Sequence, residues 1–93
     1  MTAHERLHVI FSGHVQGVGF RFRTQMLAAK RPITGYVYNM PDGRVELVAE
    51  GNKRELEAFL NEVQLGELRD YIHKAQVGWQ IATKEFDRFD IHY

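Results

Sequence analysis

The sequence predicts an α+β fold with ferredoxin-like split β-α-β topology, a sandwich of one four-stranded antiparallel sheet and two helices on one face of it. Strand-like alternation and helix-like periodicity follow one another along the chain in the order β-α-β-β-α-β. Packing both helices on one face is the economical way to bury two amphipathic stripes. With 93 residues the chain has the size of one domain, so we expect a single domain over residues 1–93.

Three strands are predicted in the first half of the chain. Residues 7–13 carry apolar side chains at alternate positions, which indicates a strand with one well-buried face. Residues 35–39 and 45–50 are β-rich, and Pro41-Asp42-Gly43 between them has the chemistry of a turn, so the two stretches should form a hairpin. The alternate apolar positions of the first strand are Leu7, Val9 and Phe11.

The first helix is predicted from Arg21 to Lys30, where apolar residues recur at helical spacing and should face the core. Pro32 disfavours the α conformation at Arg31, so the helix should end there. The predicted apolar stripe consists of Phe22, Met26, Leu27 and Ala29.

The second helix has the clearest pattern. Asn52 is a favourable N-cap and Glu55 follows three residues later, close to a capping box. Alternation then predicts strands over residues 77–81 and 89–93, whereas residues 65–75 are ambiguous and are left as a connection. The apolar face of this helix consists of Leu56, Phe59, Leu60 and Val63.

The composition narrows the possible functions. The absence of cysteine excludes disulfides, thiolate metal sites and a thiol nucleophile. Twelve basic residues balance twelve acidic ones, so no net charge draws the chain to nucleic acid or to an anionic membrane. The segment Met1–Arg6 is polar and lacks the apolar run of a signal peptide or membrane span. We therefore expect a complete, soluble cytoplasmic protein, a monomer without nucleic-acid or membrane partners.

The loop between the first strand and the first helix is the candidate site. Glycines at positions 13, 17 and 19 allow successive backbone N–H groups to turn into one concavity, and the helix N-terminus adds further unpaired N–H groups. The guanidinium of Arg21 could close this cradle around a phosphate dianion. The spacing is neither a Walker loop nor a dinucleotide fingerprint, so the pattern alone leaves open a structural turn beside a surface arginine.

Two segments resemble the signatures of the acylphosphatase family. The first is Gly13-His14-Val15-Gln16-Gly17-Val18-Gly19-Phe20-Arg21, and the second is Gly35-Tyr36-Val37-Tyr38-Asn39 followed by Gly43, Val45 and Gly51. The likeness extends over nearly the whole chain and agrees with the predicted order of elements. Two signatures at the right separation are much more specific than either one.

The resemblance implies a metal-independent hydrolase that needs no cofactor and converts an acyl phosphate into a carboxylate and inorganic phosphate. At the matching positions, Arg21 would be a catalytic residue that binds the phosphate, and Asn39 would be a catalytic residue that positions the attacking water. The loop around Gln16, Gly17, Val18 and Gly19 would bind the phosphate oxygens through its amides. The substrate would be a small-molecule acyl phosphate.

The chain departs from the family pattern at several positions. Tyr38 stands where a basic or other non-aromatic residue is more common, and alternation should place it on the sheet face opposite Asn39. Lys30-Arg31-Pro32-Ile33 replaces the usual leucine-glycine, so the first helix lacks a glycine cap.

Three features of the sequence are compatible with functions other than hydrolysis. The histidines show no ligand spacing for a metal, and His14 could add positive charge to the loop or be a partly exposed spacer. Phe20 and Phe22 beside Arg21 and Arg23 could suggest RNA stacking, but Phe22 belongs to the predicted helix stripe and is expected in the core. A non-catalytic anion-binding domain on the same scaffold also remains open, because a fold does not determine a function.

Overall fold

The computed structural model describes residues 4–93 and contains a five-stranded sheet with two helices. Residues 1–3 of the polar segment noted above lie outside the described residues. Neither helix of the described part is long and apolar enough to cross a membrane. The elements in chain order are β1 (His4–Gly13), α1 (Phe20–Ala28), β2 (Thr34–Asn39), β3 (Val45–Asn52), α2 (Lys53–Leu65), a 3-10 turn (Arg69–Tyr71), β4 (Ile72–Ile81) and β5 (Phe89–His92).

The sheet differs from the predicted four antiparallel strands. Its strand order is β4-β1-β3-β2-β5, and β5 pairs in parallel with β2 while the other neighbours are antiparallel. Both alternating stretches after α2 are strands, and they occupy opposite edges of the sheet. The prediction of four strands was wrong because the split β-α-β topology contains four, whereas the alternating stretches already number five; alternation does not show which neighbour each strand joins. The α+β class is confirmed.

The helices pack against one face of the sheet, where they form a hydrophobic cluster with the strands. The predicted buried face of β1 is confirmed, and so is the predicted buried face of α2. The side-chain oxygen of Asn52 caps α2 by accepting a hydrogen bond from the amide of Arg54 at 2.9 Å. The predicted hairpin also forms, since Gly43 has φ 96° and its amide donates to the carbonyl of Met40 at 3.1 Å.

Helix α1 buries a different stripe from the predicted one. Its fully buried side chains are Phe20, Thr24 and Ala28, whereas Phe22 is 61% exposed and Met26 is 43% exposed. The helix begins at Phe20, whose ring packs on Phe11 with centroids 5.1 Å apart. Two residues farther on, roughly 200° around the helix axis, Phe22 points away from the core. The prediction that Phe22 lies in the core was wrong.

The open face of the sheet carries a buried carboxylate. Glu50 is 4% exposed and accepts hydrogen bonds from Arg6 Nε at 2.7 Å and from the amides of Thr83 and Lys84 at 2.8 Å each. Burial raises the pKa of Glu50, but the hydrogen bonds, led by the one from Thr83, outweigh burial and lower the pKa below its ordinary value. Glu50 therefore fastens the connection between β4 and β5 to the sheet.

Replacing this carboxylate should produce a pH-dependent loss of stability. Glu50→Gln is expected to lower the free energy of unfolding by about 2 kcal/mol at neutral pH, because buried charge-assisted hydrogen bonds are lost. The pKa of Glu50 is lower in the folded protein than the unfolded-state value of about 4.3, so the ionised carboxylate stabilises the fold at pH values above about 4.3. This contribution disappears as the pH falls through the folded-state pKa. Urea unfolding at neutral and acidic pH measures the effect. The exposed Glu57→Gln is the control, and a Glu50→Gln deficit that is equal at both pH values would contradict the assignment.

Candidate active site

The candidate site lies at one end of the sheet, on the face covered by the helices. Strands β1, β2 and β5 run in the same direction, because β1 and β2 are both antiparallel to β3 and β5 is parallel to β2. Their final residues therefore meet at the same end, together with the glycine loop (residues 13–19) and the first turn of α1. In the register of the sheet, Phe11 and Asn39 are both paired with Val45, which places Asn39 on the core face beside the loop.

The glycine loop has the backbone that its sequence predicts. Gly17 and Gly19 both have φ 79°, a left-handed conformation that disfavours other residues, although a Cβ at either position would meet open space. Backbone conformation, not packing, therefore requires glycine at these positions. Among the described residues, no backbone hydrogen bond is donated by the amides of residues 16–19. Four successive N–H groups are thus available to an anion.

The side chain of Gln16 connects the glycine loop to the turn between β2 and β3. Its Nε2 donates to the carbonyl of Met40 at 2.8 Å and to the carbonyl of Arg44 at 2.9 Å. Both acceptors lie in the turn that directly follows Asn39. Since both N–H groups of its amide donate hydrogen bonds to this turn, Gln16 fixes the distance between the loop and the end of β2.

Arg21 is held near the cavity without an acidic partner. Its Nη1 donates a long hydrogen bond of 3.4 Å to the carbonyl of His92, and its guanidinium carbon lies 4.9 Å from the ring centroid of Tyr93. Among residues 4–93, no carboxylate forms an ion pair with Arg21, whereas the neighbouring Arg23 pairs with Glu67 at 2.8 Å. The charge of Arg21 is therefore available to a bound anion.

Two buried side-chain polar atoms lack a hydrogen-bond partner among the described residues, Oγ1 of Thr24 within α1 and Oδ1 of Asn39 at the end of β2. Buried polar atoms are normally paired. Of these two residues only Asn39 lines the cavity, which makes it the candidate for a functional role. Tyr38 lies on the opposite face, as predicted, where it lines a second surface groove with Tyr36 and Glu46.

One cavity of about 250 Å³ brings most of the predicted residues together. Arg21, Asn39, Gly17 and Gly19 line it, but the side chain of Gln16 points to the turn. Val18 packs against the hydrophobic cluster, and His14 is exposed and does not line the cavity. Larger grooves of about 430 and 480 Å³ lie beside the helices and contain neither Arg21 nor Asn39, so size alone does not identify the site.

Five residues that line this cavity are not among the predicted site residues, namely Val15, Phe20, Phe22, Ile91 and Tyr93. The alternation of the last strand places Ile91 and Tyr93 on one face, but it does not indicate that β5 lies next to β2. The pairing of Val37 with Ile91 creates that proximity. Phe22 was missed because it was assigned to the core.

These features define a small α+β protein with a cavity lined by loop glycines and by a guanidinium that has no acidic partner among residues 4–93. A family model described as acylphosphatase matches residues 7–91. An acylphosphatase of Geobacillus kaustophilus is 37% identical over 89 residues, which cover 96% of this chain and 95% of the relative. An acylphosphatase of Thermus thermophilus is 43% identical over 74 residues, which cover 80% of this chain and 84% of the relative.

A solved structure agrees with these sequence relatives. The crystal structure of acylphosphatase from Bacillus subtilis superposes with a TM-score of 0.88 and 38% identity, over 96% of this chain and 99% of that one. The chain belongs to the acylphosphatase family. Its homologues are hydrolases that act on acid anhydrides.

Proposed function

We propose that this protein hydrolyses acyl phosphates, the mixed anhydrides of a carboxylic acid and phosphoric acid, to a carboxylate and inorganic phosphate. The observation that carries the proposal is that Arg21, Asn39 and two loop glycines line one small cavity. Family membership supplies the class of reaction, and this cavity supplies a place for it.

The phosphate would bind to the glycine loop and Arg21. The unpaired amides of Gln16, Gly17, Val18 and Gly19 can donate to phosphate oxygens, and the positive end of the α1 dipole adds to their attraction. The planar guanidinium of Arg21 can donate two parallel hydrogen bonds to the same group. In phosphoryl transfer, such donors stabilise the charge on the equatorial oxygens in the transition state.

Asn39 would position the attacking water. Its amide group offers one acceptor and two donors and does not titrate near neutral pH, so it can orient a water but not deprotonate it. The place of Asn39 in the lining of the cavity supports this role, because its amide group can accept a hydrogen bond from that water and leave an oxygen lone pair facing the phosphorus.

The leaving group explains why such a simple site would suffice. The carboxylate that departs has a conjugate acid with a pKa of about 4, by analogy with Asp and Glu. It leaves as an anion at neutral pH, so no general acid has to protonate it. A phosphate monoester of an alcohol has a much more basic leaving group and should be a poor substrate.

A phosphate-release assay tests this proposal. Purified protein in the presence of EDTA should release phosphate from acetyl phosphate and benzoyl phosphate well above the spontaneous rate. With glycerol phosphate, a monoester of an alcohol, it should release almost none. Failure to accelerate either anhydride would contradict the proposed function, and a strict requirement for added Mg²⁺ would contradict its metal-independent form.

The organisation of the chain is part of the same proposal. We infer one acylphosphatase-like domain over residues 1–93 that works as a monomer. A single hydrophobic cluster, to which both helices and β1, β2, β3 and β5 contribute, supports the one-domain interpretation. Light scattering at micromolar and higher concentrations would test the monomer.

A further inference from the structure

The cavity has two chemically different parts. Its inner part contains the loop glycines, Arg21 and Asn39, beside the buried side chains of Val15 and Phe20. Its outer part is apolar and consists of Phe22, Ile91 and Tyr93, which we call the apolar rim. The rim is not needed to bind phosphate, so it requires a separate explanation.

The two aromatic residues of the rim are strongly exposed. Phe22 is 61% exposed and Tyr93 is 91% exposed. Each ring leaves apolar area in contact with water, and covering that area is worth roughly 25 cal/mol per Å². Single exposed apolar residues are common and need no explanation, but two aromatic rings at the edge of one cavity form a surface that a ligand can cover.

The position of the rim matches the shape of an acyl phosphate. In such a molecule the acyl carbon is joined to phosphorus through one oxygen, so the acyl group must lie next to the bound phosphate. The ring centroid of Tyr93 lies 4.9 Å from the guanidinium carbon of Arg21, and Phe22 is the next residue along α1. An acyl group that leaves the phosphate site on this side would therefore contact the rim.

The charges around the cavity favour an uncharged acyl group. Among the described residues that line it, Arg21 is the only one with an ionisable acidic or basic side chain besides the phenol of Tyr93. Because Arg21 is proposed to hold the phosphate, a second anionic group on the acyl portion would find no partner in the cavity. A planar or branched apolar group would gain contacts with both rings.

We propose that Phe22 and Tyr93 form the acyl-binding surface and make the protein prefer aromatic or bulky apolar acyl phosphates to small ones. The inference rests on the proposed function, because it assumes that phosphate occupies the inner part of the same cavity. Phe22 and Tyr93 are thus specificity-determining residues, and neither takes part in the chemical step.

The test compares benzoyl phosphate with acetyl phosphate. For Phe22→Ala we expect the ratio of kcat/KM values, benzoyl over acetyl, to fall about fivefold to tenfold, because the contact of one apolar ring is lost. The value for acetyl phosphate should change by less than about twofold. Met26→Ala is the matched control, since Met26 is also exposed on α1 but does not line this cavity. Tyr93→Ala should lower the same ratio and also lower both values, because this ring contacts Arg21.

Two further results separate this inference from the proposed function. If the wild-type protein hydrolyses both substrates and Phe22→Ala leaves their ratio unchanged, the acyl-binding surface is wrong and the function stands. Binding can also be measured without turnover, by calorimetric titration with phenyl phosphonate and with inorganic phosphate. Phe22→Ala should weaken only the phenyl phosphonate, and equal weakening of both ligands would overturn the inference.

Discussion

Arg21→Ala is expected to lower kcat/KM for acetyl phosphate by about 10³-fold or more, with the fold intact. An arginine that stabilises the charge of a transferring phosphoryl group is worth about 10³ to 10⁵ in rate. Stability should change little, because Arg21 makes one long hydrogen bond and one ring contact in the described structure. Phosphate release and thermal unfolding measure the two expectations separately.

The neighbouring arginine provides the control for this prediction. Arg23 lies on the same helix but pairs with Glu67, so Arg23→Ala should keep nearly full activity. Arg21→Lys should also lose most of its activity, because an ammonium group keeps the charge but cannot form two parallel hydrogen bonds. Activity of Arg21→Ala within tenfold of the wild type would remove Arg21 from the mechanism.

Asn39→Ala is expected to lower kcat by about 10²-fold to 10³-fold, the size of the effect when one positioned polar group is lost from an active site. KM should change little, because the phosphate is proposed to bind to the loop and Arg21. The variant should be at least as stable as the wild type, since it removes a buried oxygen that has no partner in the described structure. Steady-state kinetics and urea unfolding would show this combination.

The same variant separates a catalyst from a simple anion-binding domain. Asn39→Ala should still bind inorganic phosphate with the wild-type affinity, whereas Arg21→Ala should bind it much more weakly. Asn61→Ala, an exposed asparagine on α2, is the matched control and should be silent in both assays. If Asn39→Ala hydrolysed acetyl phosphate at the wild-type rate, the proposed role of Asn39 would be wrong.

The sequence correctly predicted the features that depend on residues close together in the chain. The turn at Pro41-Asp42-Gly43, the cap at Asn52 and the apolar face of α2 depend on residues a few positions apart, and all three are found. The position of β5 beside β2 depends on partners more than fifty residues away, as in the pairing of Gly35 with Phe89. Periodicity indicates five strand-like stretches, but it does not carry the information that the last one joins β2 in parallel.

Helix α1 shows a different limit. Phe20 and Phe22 are equally apolar, and only the starting residue of the helix decides which of them faces the sheet. That start depends on the left-handed conformation of Gly19 and on the packing of Phe20 against Phe11. The predicted stripe starts at Phe22, two residues after Phe20, which places it roughly 200° around the helix axis from the observed one.

For the candidate site, the sequence predicted the principal residues but not their arrangement in space. Arg21 and Asn39 were named from two separate segments, and the structure places both on one cavity. The apolar rim was not predicted, because its members come from α1 and from the end of β5. The hydrogen bonds donated by the side chain of Gln16 could not be predicted either. Their acceptors are backbone carbonyls, which every residue has, so the residue types do not indicate which carbonyls are bound.

Those bonds of Gln16 have a consequence for the timing of events at the site. Because the carbonyls of Met40 and Arg44 already accept hydrogen bonds from Gln16 Nε2, the loop and the end of β2 are aligned when the chain folds, before any ligand arrives. The glycine loop and the turn after β2 then lose their conformational freedom once, during folding, and not each time a substrate binds. A rigid site of this kind does not close around its ligand, so it cannot distinguish the phosphate group of the substrate from the inorganic phosphate that is released. Inorganic phosphate should therefore compete with the substrate.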